Sequence, residues 1–485
     1  MTSPKSPPLP RAAGAAAVPW GAIAVAMVGA FMSVLDSFIV IVAGPAMQAD
    51  LAVSDGELQW ILAGYQLTYA VFLITGGRLG DLLGRKRAFV TGMALFTLAS
   101  VACALSQAAA PLIVARLVQG LGAALMLPQV YAVIAVLVPE RDRHRAFGVL
   151  GVVLGLATIG GQLIGGLLIG ADLFGSGWRP VFWINVPIGV AAILLAARWL
   201  PESRAALARR LDLPGVAVLS VALFLLAFPL IQGQQAGWPW WTWACLAASV
   251  PAFALFVAVE RRIGERGKDP LVRTSLFRTR SFSVGLLLVL TVYTVISSYY
   301  LVLSISLQDG LGMTALGAGL VYTPAAVTFF VFSMVASRLV PRYGRRVLQT
   351  GAIVLALGYA ATAAALIGGL PFTPGVIIPT LMLQSVGGGL IITPSLNAVL
   401  ARISPEDAGI ASGVLSTAQQ IGAALGVAII GVVYFGSLSA SAADRAAAAG
   451  HAFAMSSIFT FAAAAVAVVL VRLLPAGRPT TGGTD

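Results

Sequence analysis

The sequence predicts an all-α polytopic membrane protein, and three observations support this fold class. Hydrophobic residues make up 59% of the 485 residues and charged residues only 10%, whereas a soluble domain carries about 25% charged residues. The apolar residues fall into runs of roughly 20, the length at which a helix crosses the hydrocarbon core. Finally, Lys and Arg are concentrated in every second connection between these runs.

Fourteen runs are predicted to span the membrane, each bounded by charged residues or by Pro and Gly. In chain order they are Val18 to Met47, Leu58 to Gly76, Ala88 to Ser106, Pro111 to Leu137, Phe147 to Gly170, Val181 to Leu200, Pro214 to Ile231, Trp241 to Val259, Phe282 to Leu303, Leu316 to Ala336, Val347 to Leu366, Pro374 to Leu400, Ile410 to Tyr434 and Ala452 to Leu473. For the pair between Pro214 and Val259, a re-entrant hairpin fits the charge pattern as well as two full spans do.

The net charge of +12 does not indicate a nucleic-acid-binding surface, because the cations are sorted by side of the membrane. All Lys and Arg residues except Arg116, Arg179 and Arg445 fall in the tails, in alternate connections or at the adjoining span ends. This is the positive-inside pattern, which places those connections and both termini in the cytoplasm. We therefore expect a multi-pass protein of the inner (plasma) membrane with lipids around it and no nucleic-acid partner.

An internal repeat divides the chain. Arg78 and Gly84 recur about 260 residues later as Arg338 and Gly344, and Gly161 recurs at nearly the same spacing as Gly422. Such repeats are typical of membrane proteins built from two helical bundles. We predict cytoplasmic tails at 1–17 and 475–485, a six-helix bundle at 18–200, a linker with two inserted transmembrane helices at 201–280, and a second six-helix bundle at 281–474.

The connection from Gly77 to Arg87 reads GRLGDLLGRKR. A segment this polar cannot lie in hydrocarbon, so we predict a tight hydrophilic hairpin between the second and third spans. Gly77 and Gly84 permit the turn and close helix approach, and Asp81 can accept from backbone N–H groups at a helix N-terminus. An ordinary positive-inside loop would explain Arg85 but not the spacing of Gly and Asp.

Asp36 and Arg116 are the ionisable residues placed deepest inside predicted spans. A charge at the bilayer centre costs about 2.5–3.5 kcal/mol on insertion scales, so we expect such residues to have a function. At 1.5 Å per residue, Asp36 lies roughly 13 Å and Arg116 roughly 8 Å from the same membrane surface, so the two can meet. Two interpretations stay open: Asp36 binds a proton whose affinity Arg116 controls, or the two form a fixed structural ion pair.

The fifth span is rich in glycine, which lowers helix propensity but allows a neighbouring helix to pack very closely. Generic small-residue packing would also explain this composition. The part of the span that carries the pattern comprises Gly155, Gly161, Gln162, Gly165 and Gly166.

These motifs resemble those of the major facilitator superfamily, and specifically its fourteen-span drug:proton antiporter branch. The Gly77–Arg87 hairpin resembles the superfamily's connection between spans two and three, and RLVQGLGAA from Arg116 resembles its span-four motif. GWRPVFWINVPIG from Gly177 resembles a signature of the branch. The glycines of span five resemble the exporters' antiporter motif, with Gln162 where the family has Pro.

The resemblance implies the major-facilitator fold and a proton-coupled secondary transporter that exports hydrophobic or cationic small molecules, such as drugs or antibiotics, by alternating access. It implies that Arg116 is a functional position of the family and that Gln119 and Gly120 complete the span-four motif. It also implies a conformational latch formed by Gly77, Arg78, Asp81, Gly84 and Arg85. Two alternatives remain: an exporter of a self-made metabolite or lipid, and a receptor or assembly factor that does not transport.

Several polar and aromatic residues could line a central substrate cavity, although each is equally compatible with helix packing. They are Tyr65, Gln66, Tyr69, Gln129, Tyr293, Tyr322 and Gln384. The sequence contains neither a GxxxxGK[ST] phosphate loop nor an HExxH metal site. We expect a monomer that is not an enzyme, that binds a small-molecule substrate and protons, and that uses no metal and no cofactor.

Overall fold

The computed structural model describes residues 19–204, 211–233, 236–268, 270–400, 408–438 and 445–474. Within these ranges the chain forms fifteen α-helices and no β-strand. The helices are α1 (Trp20–Leu51), α2 (Asp55–Leu83), α3 (Arg85–Leu105), α4 (Ala109–Leu137), α5 (Glu140–Gly170), α6 (Pro180–Trp183), α7 (Asn185–Trp199), α8 (Leu213–Gln232), α9 (Trp240–Glu265), α10 (Arg280–Ile305), α11 (Ala315–Tyr343), α12 (Arg345–Ile367), α13 (Pro374–Leu400), α14 (Ala408–Ser437) and α15 (Arg445–Leu473). The predicted tails 1–17 and 475–485, and the linker residues Arg209 and Arg210, lie outside the described residues.

In this part of the chain, fourteen helical segments are long and apolar enough to cross a bilayer, which confirms the predicted number. Helices α6 and α7 form one of them, because only Ile184 separates the two. The inserted helices α8 and α9 contain 20 and 26 residues, so each has the length of a full span and a re-entrant hairpin is not needed.

Glycines allow α4 to pack between α2 and α3, and α13 to pack between α11 and α12. A Cβ placed on Gly76 of α2 would lie 2.1 Å from the backbone oxygen of Ala124 on α4, and a Cβ placed on Gly387 of α13 would lie 2.2 Å from the backbone nitrogen of Leu355 on α12. No side chain fits at such distances. These crossings therefore depend on glycine, as is common between membrane helices.

The predicted repeat is visible in the packing of the first half, α1–α7, and the second half, α10–α15. Gly161 of α5 packs on a backbone oxygen of α1, and Gly422 of α14 packs in the same way on α10. Gly84 (φ 112°) and Gly344 (φ 53°) each form a one-residue turn between two helices. The bundle boundaries at 18–200 and 281–474 stay a prediction.

Helix α5 of the first half and helix α11 of the second half pack closely on one side of the membrane and diverge toward the other. We call the side with the turns at Gly84 and Gly344 the hairpin side, and the opposite side the far side. On the far side, a Cβ on Gly166 of α5 would lie 2.6 Å from the backbone oxygen of Ala315 on α11. Toward the hairpin side, a Cβ on Gly148 of α5 would have no atom of another helix within 4 Å. The gap between α5 and α11 therefore opens toward the hairpin side.

On the far side, two hydrogen bonds also join α1 to the end of α10 and to the turn that follows it. Ser304 Oγ donates to the backbone oxygen of Ile41 at 3.2 Å, and Gln308 Nε2 donates to that of Val42 at 3.0 Å. Helix α1 is therefore anchored to both halves.

We expect Gly76→Ala to destabilise the protein, because the added methyl group would overlap the backbone of α4. Overpacking of this kind costs about 1–3 kcal/mol. Gly148→Ala is the matched control, since it adds the same methyl to a helical glycine with open space around it and improves helix propensity. Thermal unfolding of the purified protein in detergent measures both variants. Equal melting temperatures would contradict the described packing of α2 on α4.

Candidate functional site

Asp36 on α1 and Arg116 on α4 form an ion pair in the interior of the first half. Their side chains are 0% and 1% exposed. Arg116 Nη1 donates to Asp36 Oδ2, and Arg116 Nε donates to the backbone oxygen of Ile61 on α2 at 3.0 Å. The structure thus brings together the two charged residues that the sequence placed at similar depth.

Asp36 Oδ1 receives further hydrogen bonds from two amides. Gln119 Nε2 donates to it at 2.9 Å and Asn185 Nδ2 donates at 3.1 Å. Both amides also bond Ser100 Oγ on α3, at 2.8 Å and 3.3 Å respectively. Each carboxylate oxygen is therefore paired with at least one N–H group, as a buried charge requires.

The guanidinium group of Arg116 has partners other than Asp36. Its Nη1 donates to Gln119 Oε1 at 2.6 Å, and its Cζ lies 4.3 Å from the centre of the Tyr65 ring, within the range of a cation–π contact. Tyr65 is fixed in turn, since its hydroxyl donates to the backbone oxygen of Ser33 at 3.0 Å. Arg116 therefore has interactions that do not depend on the charge of Asp36.

The break between α6 and α7 positions Asn185. Upstream of it, Trp178 Nε1 and Arg179 Nη1 both donate to Asp50 Oδ2, at 2.9 Å and 2.8 Å, and fix this segment to the far-side end of α1. Asn185 lies within the GWRPVFWINVPIG string, and the motifs in the sequence indicated no role for it or for Ser100. A buried amide in an apolar span is the signal that could have identified Asn185.

The hairpin between α2 and α3 differs in one respect from the prediction. Asp81 Oδ1 accepts from Arg85 Nη2 at 3.0 Å, and the backbone N–H of Lys86 at the start of α3 is bound instead by Glu202 Oε1 at 3.2 Å. The reason is that α2 remains helical through Leu83, so Asp81 does not reach the cap position of α3. The expected backbone-capping role of Asp81 was therefore wrong.

Gly84 has two reasons to be glycine. Its φ of 112° disfavours a side chain, and a Cβ there would lie 2.3 Å from Glu202 Oε1. Gly77 is less constrained, because its Cβ position lies 3.4 Å from the side chain of Pro128. Arg78 is buried, and its Nη2 donates to the backbone oxygen of Pro270 in the linker before α10.

The glycines of α5 contact two different helices. A Cβ on Gly161 would lie 2.9 Å from Leu35 O and a Cβ on Gly165 would lie 2.9 Å from Ile39 Cγ1, so both glycines pack on α1, whereas Gly166 packs on α11. A Cβ on Gly155 would lie 3.6 Å from the Phe330 side chain of α11. Between them, the Gln162 side chain is buried, and within the described structure neither of its amide atoms has a hydrogen-bond partner. The glycine-rich stretch thus joins α1 to the interface between the halves.

The residues predicted to line a cavity fall into two groups, and those of the first group have partners within their own half. Gln129 donates to Gly76 O at 2.9 Å in the first half, and in the second half Tyr322 donates to Tyr300 O at 3.0 Å and Gln384 donates to Thr362 Oγ1 at 3.1 Å. Tyr65 belongs to the Arg116 site, and Gly120 packs against its backbone oxygen.

The second group retains polar atoms that can still bind a ligand. Gln66 Oε1 and Tyr69 Oη are buried and have no hydrogen-bond partner among the described residues. Tyr293 is half-buried. These three residues remain candidates for contact with a substrate.

A polytopic helical membrane protein with two repeated helical halves and an internally paired carboxylate has the architecture of a secondary transporter. The family profile described as Major Facilitator Superfamily matches residues 26–427 and, a second time, residues 285–484. The chain belongs to this superfamily.

Known relatives and solved structures agree with this assignment. The chain is 39% identical to a probable actinorhodin transporter of Streptomyces coelicolor, over 87% of this chain and 74% of that protein. It is 34% identical to a cephamycin export protein of Amycolatopsis lactamdurans, over 94% of both chains. It is 35% identical to a tetracenomycin C resistance and export protein of Streptomyces glaucescens, over 87% and 77%. A POT family transporter solved with 5-aminolevulinic acid shares the fold, with a TM-score of 0.67 and 13% identity over 93% and 95%.

We expect Arg116→Gln to destabilise the protein more than Arg116→Gln combined with Asp36→Asn. The single change leaves a buried carboxylate without its cation, which costs about 3–5 kcal/mol, whereas removal of both charges leaves no unpaired ion. Denaturant unfolding of purified protein measures both variants against the wild type. A double variant that is less stable than the single one would show that Arg116 is not the main partner of Asp36.

Proposed function

We propose that this protein is a proton-coupled antiporter of the plasma membrane that exports hydrophobic small molecules by alternating access, with both termini in the cytoplasm. Membership of the Major Facilitator Superfamily supports transport, and the relatives named as exporters support the outward direction. The cation-rich connections on the hairpin side support a cytoplasmic location for that side.

The observation that carries the proton-coupling proposal is the enclosed carboxylate of Asp36. Protonation would remove its charge and weaken the bond from Arg116, while Arg116 would keep Ile61 O, Gln119 Oε1 and the Tyr65 ring as partners. Arg116 would therefore stay on α4. Helix α1, which carries Asp36, would become free to move relative to α4.

Movement of α1 would reach the interface between the halves. Ile41 and Val42, which accept the far-side hydrogen bonds from the second half, lie between one and two helical turns after Asp36 on the same helix. The glycines of α5 pack on α1 at Leu35 and Ile39. The proton site and the contacts that close the far side thus share one rigid element, which supports a direct coupling between them.

A single proton is sufficient energetically. One proton that moves inward through 100 mV releases about 2.3 kcal/mol, and a tenfold gradient of a neutral solute costs about 1.4 kcal/mol. One coupling carboxylate can therefore drive an outward gradient of more than tenfold.

The relatives suggest the class of substrate. Their names refer to actinorhodin, cephamycin and tetracenomycin C, so an antibiotic or other secondary metabolite is the proposed cargo, and export of a self-made metabolite remains the alternative to general drug efflux. Within the described chain, the buried carboxylates are Asp36, Asp212 and Glu260, and the last two are held by the linker before α10. This scarcity of free buried carboxylates supports an uncharged substrate over a dication.

We expect Asp36→Asn to abolish proton-driven export while the protein still inserts and folds. The amide keeps the shape of the side chain but cannot take up a proton. Purified protein in proteoliposomes with an imposed pH gradient provides the measurement, with substrate movement and internal pH recorded together for a panel of uncharged and cationic compounds.

Glu265→Gln is the control. Glu265 is an exposed acid at the end of α9 and has no part in the Asp36 site, so proton-driven export should remain near the wild-type rate. If Asp36→Asn transports as fast as Glu265→Gln, the proton role of Asp36 is excluded. If the wild type moves neither protons nor any substrate, the receptor or assembly-factor alternative is favoured.

A further inference from the structure

Three buried ionisable side chains meet on the hairpin side, away from the Asp36 site. They are Arg78 on α2, Asp212 immediately before α8, and Glu260 near the end of α9, and they are 6%, 4% and 1% exposed. To bury such groups is costly unless each is matched by hydrogen bonds or opposite charge. Their common position therefore needs an explanation beyond helix packing.

Asp212 and Glu260 together hold one short segment of the linker before α10. Asp212 Oδ2 accepts from the backbone nitrogen of Leu271 at 2.9 Å, and Glu260 Oε2 accepts from that of Val272 at 2.7 Å. Asp212 Oδ1 also accepts from the backbone nitrogen of Gly215 at 2.8 Å. The carboxylates at the two ends of the inserted helix pair thus fix the backbone of two consecutive linker residues.

The two carboxyl groups are neighbours. A Cβ on Gly215 would lie 2.3 Å from Glu260 Oε1 and 2.5 Å from Asp212 Oδ2. The two oxygens therefore lie on either side of the same small space, and any side chain at position 215 would overlap both. Glu260 Oε1 is buried and has no hydrogen-bond partner in the described part of the chain. The arrangement is built around these two acids and is not a chance surface contact.

The segment held by the two acids contacts the hairpin. Arg78 Nη2 donates to the backbone oxygen of Pro270, the residue directly before Leu271. Helix α8 also packs on α2 of the first half and on α14 of the second half. The inserted pair is therefore connected to both halves and, through Pro270, to the arginine of the hairpin motif.

We infer that Asp212 and Glu260 are positioning residues that present the Pro270 carbonyl to Arg78, so that the inserted helices hold the hairpin in the conformation in which the α5–α11 gap is open. We call this connection, which runs from Asp212 and Glu260 through Pro270 to Arg78, the clamp. Loss of the clamp releases Arg78 and shifts the protein toward the conformation closed on the hairpin side. This does not depend on which substrate is carried.

The test measures the width of the gap directly. Spin labels are placed at Val152 on α5 and Val331 on α11, which are 40% and 46% exposed, after Cys103 and Cys245 are replaced by Ala. Distance distributions in nanodiscs give the ratio of open to closed molecules. The matched control is Glu265→Gln, which changes an exposed acid at the end of the same helix.

We expect Glu260→Ala to lower the open-to-closed ratio roughly fivefold, in line with the loss of one hydrogen bond to a buried carboxyl group. Arg78→Ala should lower it equally, and the double variant should lower it no further, because both changes break the same connection. Glu260→Gln should restore a ratio within about twofold of the wild type, because the amide oxygen can still accept from Val272 and the NH₂ can donate to Asp212.

Two results would overturn the inference. One is a Glu260→Ala distribution equal to that of Glu265→Gln, and the other is an additive effect in the double variant. If Glu260→Ala does not fold, as judged by gel filtration and thermal unfolding, Arg78→Ala tests the same contact from the hairpin, and an unchanged distribution there rejects the clamp.

Discussion

The structure depends most on the requirement that a charge within the membrane interior has every polar atom matched. Asp36 is held by N–H groups from two other transmembrane segments, α4 and the α6–α7 span, and Ser100 of α3 links the two amides to each other. A bilayer offers no water to replace these bonds. The position of α1 relative to its neighbours therefore depends on the charge of one carboxyl group. A proton-coupled transporter needs a dependence of this kind.

Close glycine packing is the second determinant, because it converts a local change into movement of whole helices. Where Gly76 or Gly166 crosses another helix, backbone lies directly on backbone, and such contacts cannot be compressed. A Cβ on α5 would overlap α11 at Gly166 and would meet no atom at Gly148, so the close contact between the two helices lies at the far side. Rigid helices with a few such tight contacts favour two discrete arrangements over a continuous range of shapes.

Span number could be predicted from the length of apolar runs, and the contact between Asp36 and Arg116 could be predicted because isolated charges at similar depth in a membrane are costly. The sequence did not reveal that Glu202 binds the start of α3 or that Pro270 accepts from Arg78, because Glu202 and Pro270 lie in connections outside the apolar spans, where no cost of burial indicates a partner. Asn185 was missed although an amide within an apolar span is a signal, because its partners lie on other helices. The cavity residues were the least predictable, since Gln129 and Gln384 have the same residue type as Gln66 but bond within their own half.

The amide of Asn185 has a further consequence for the neutral form of Asp36. Its nitrogen is used by the carboxylate, whereas its oxygen is buried and has no donor among the described residues. A protonated carboxyl group gains an O–H that needs an acceptor. Rotation of the Asn185 side chain by half a turn about its last bond would exchange N–H for C=O and supply one. A single side chain can therefore hydrogen-bond the acid in both of its charge forms.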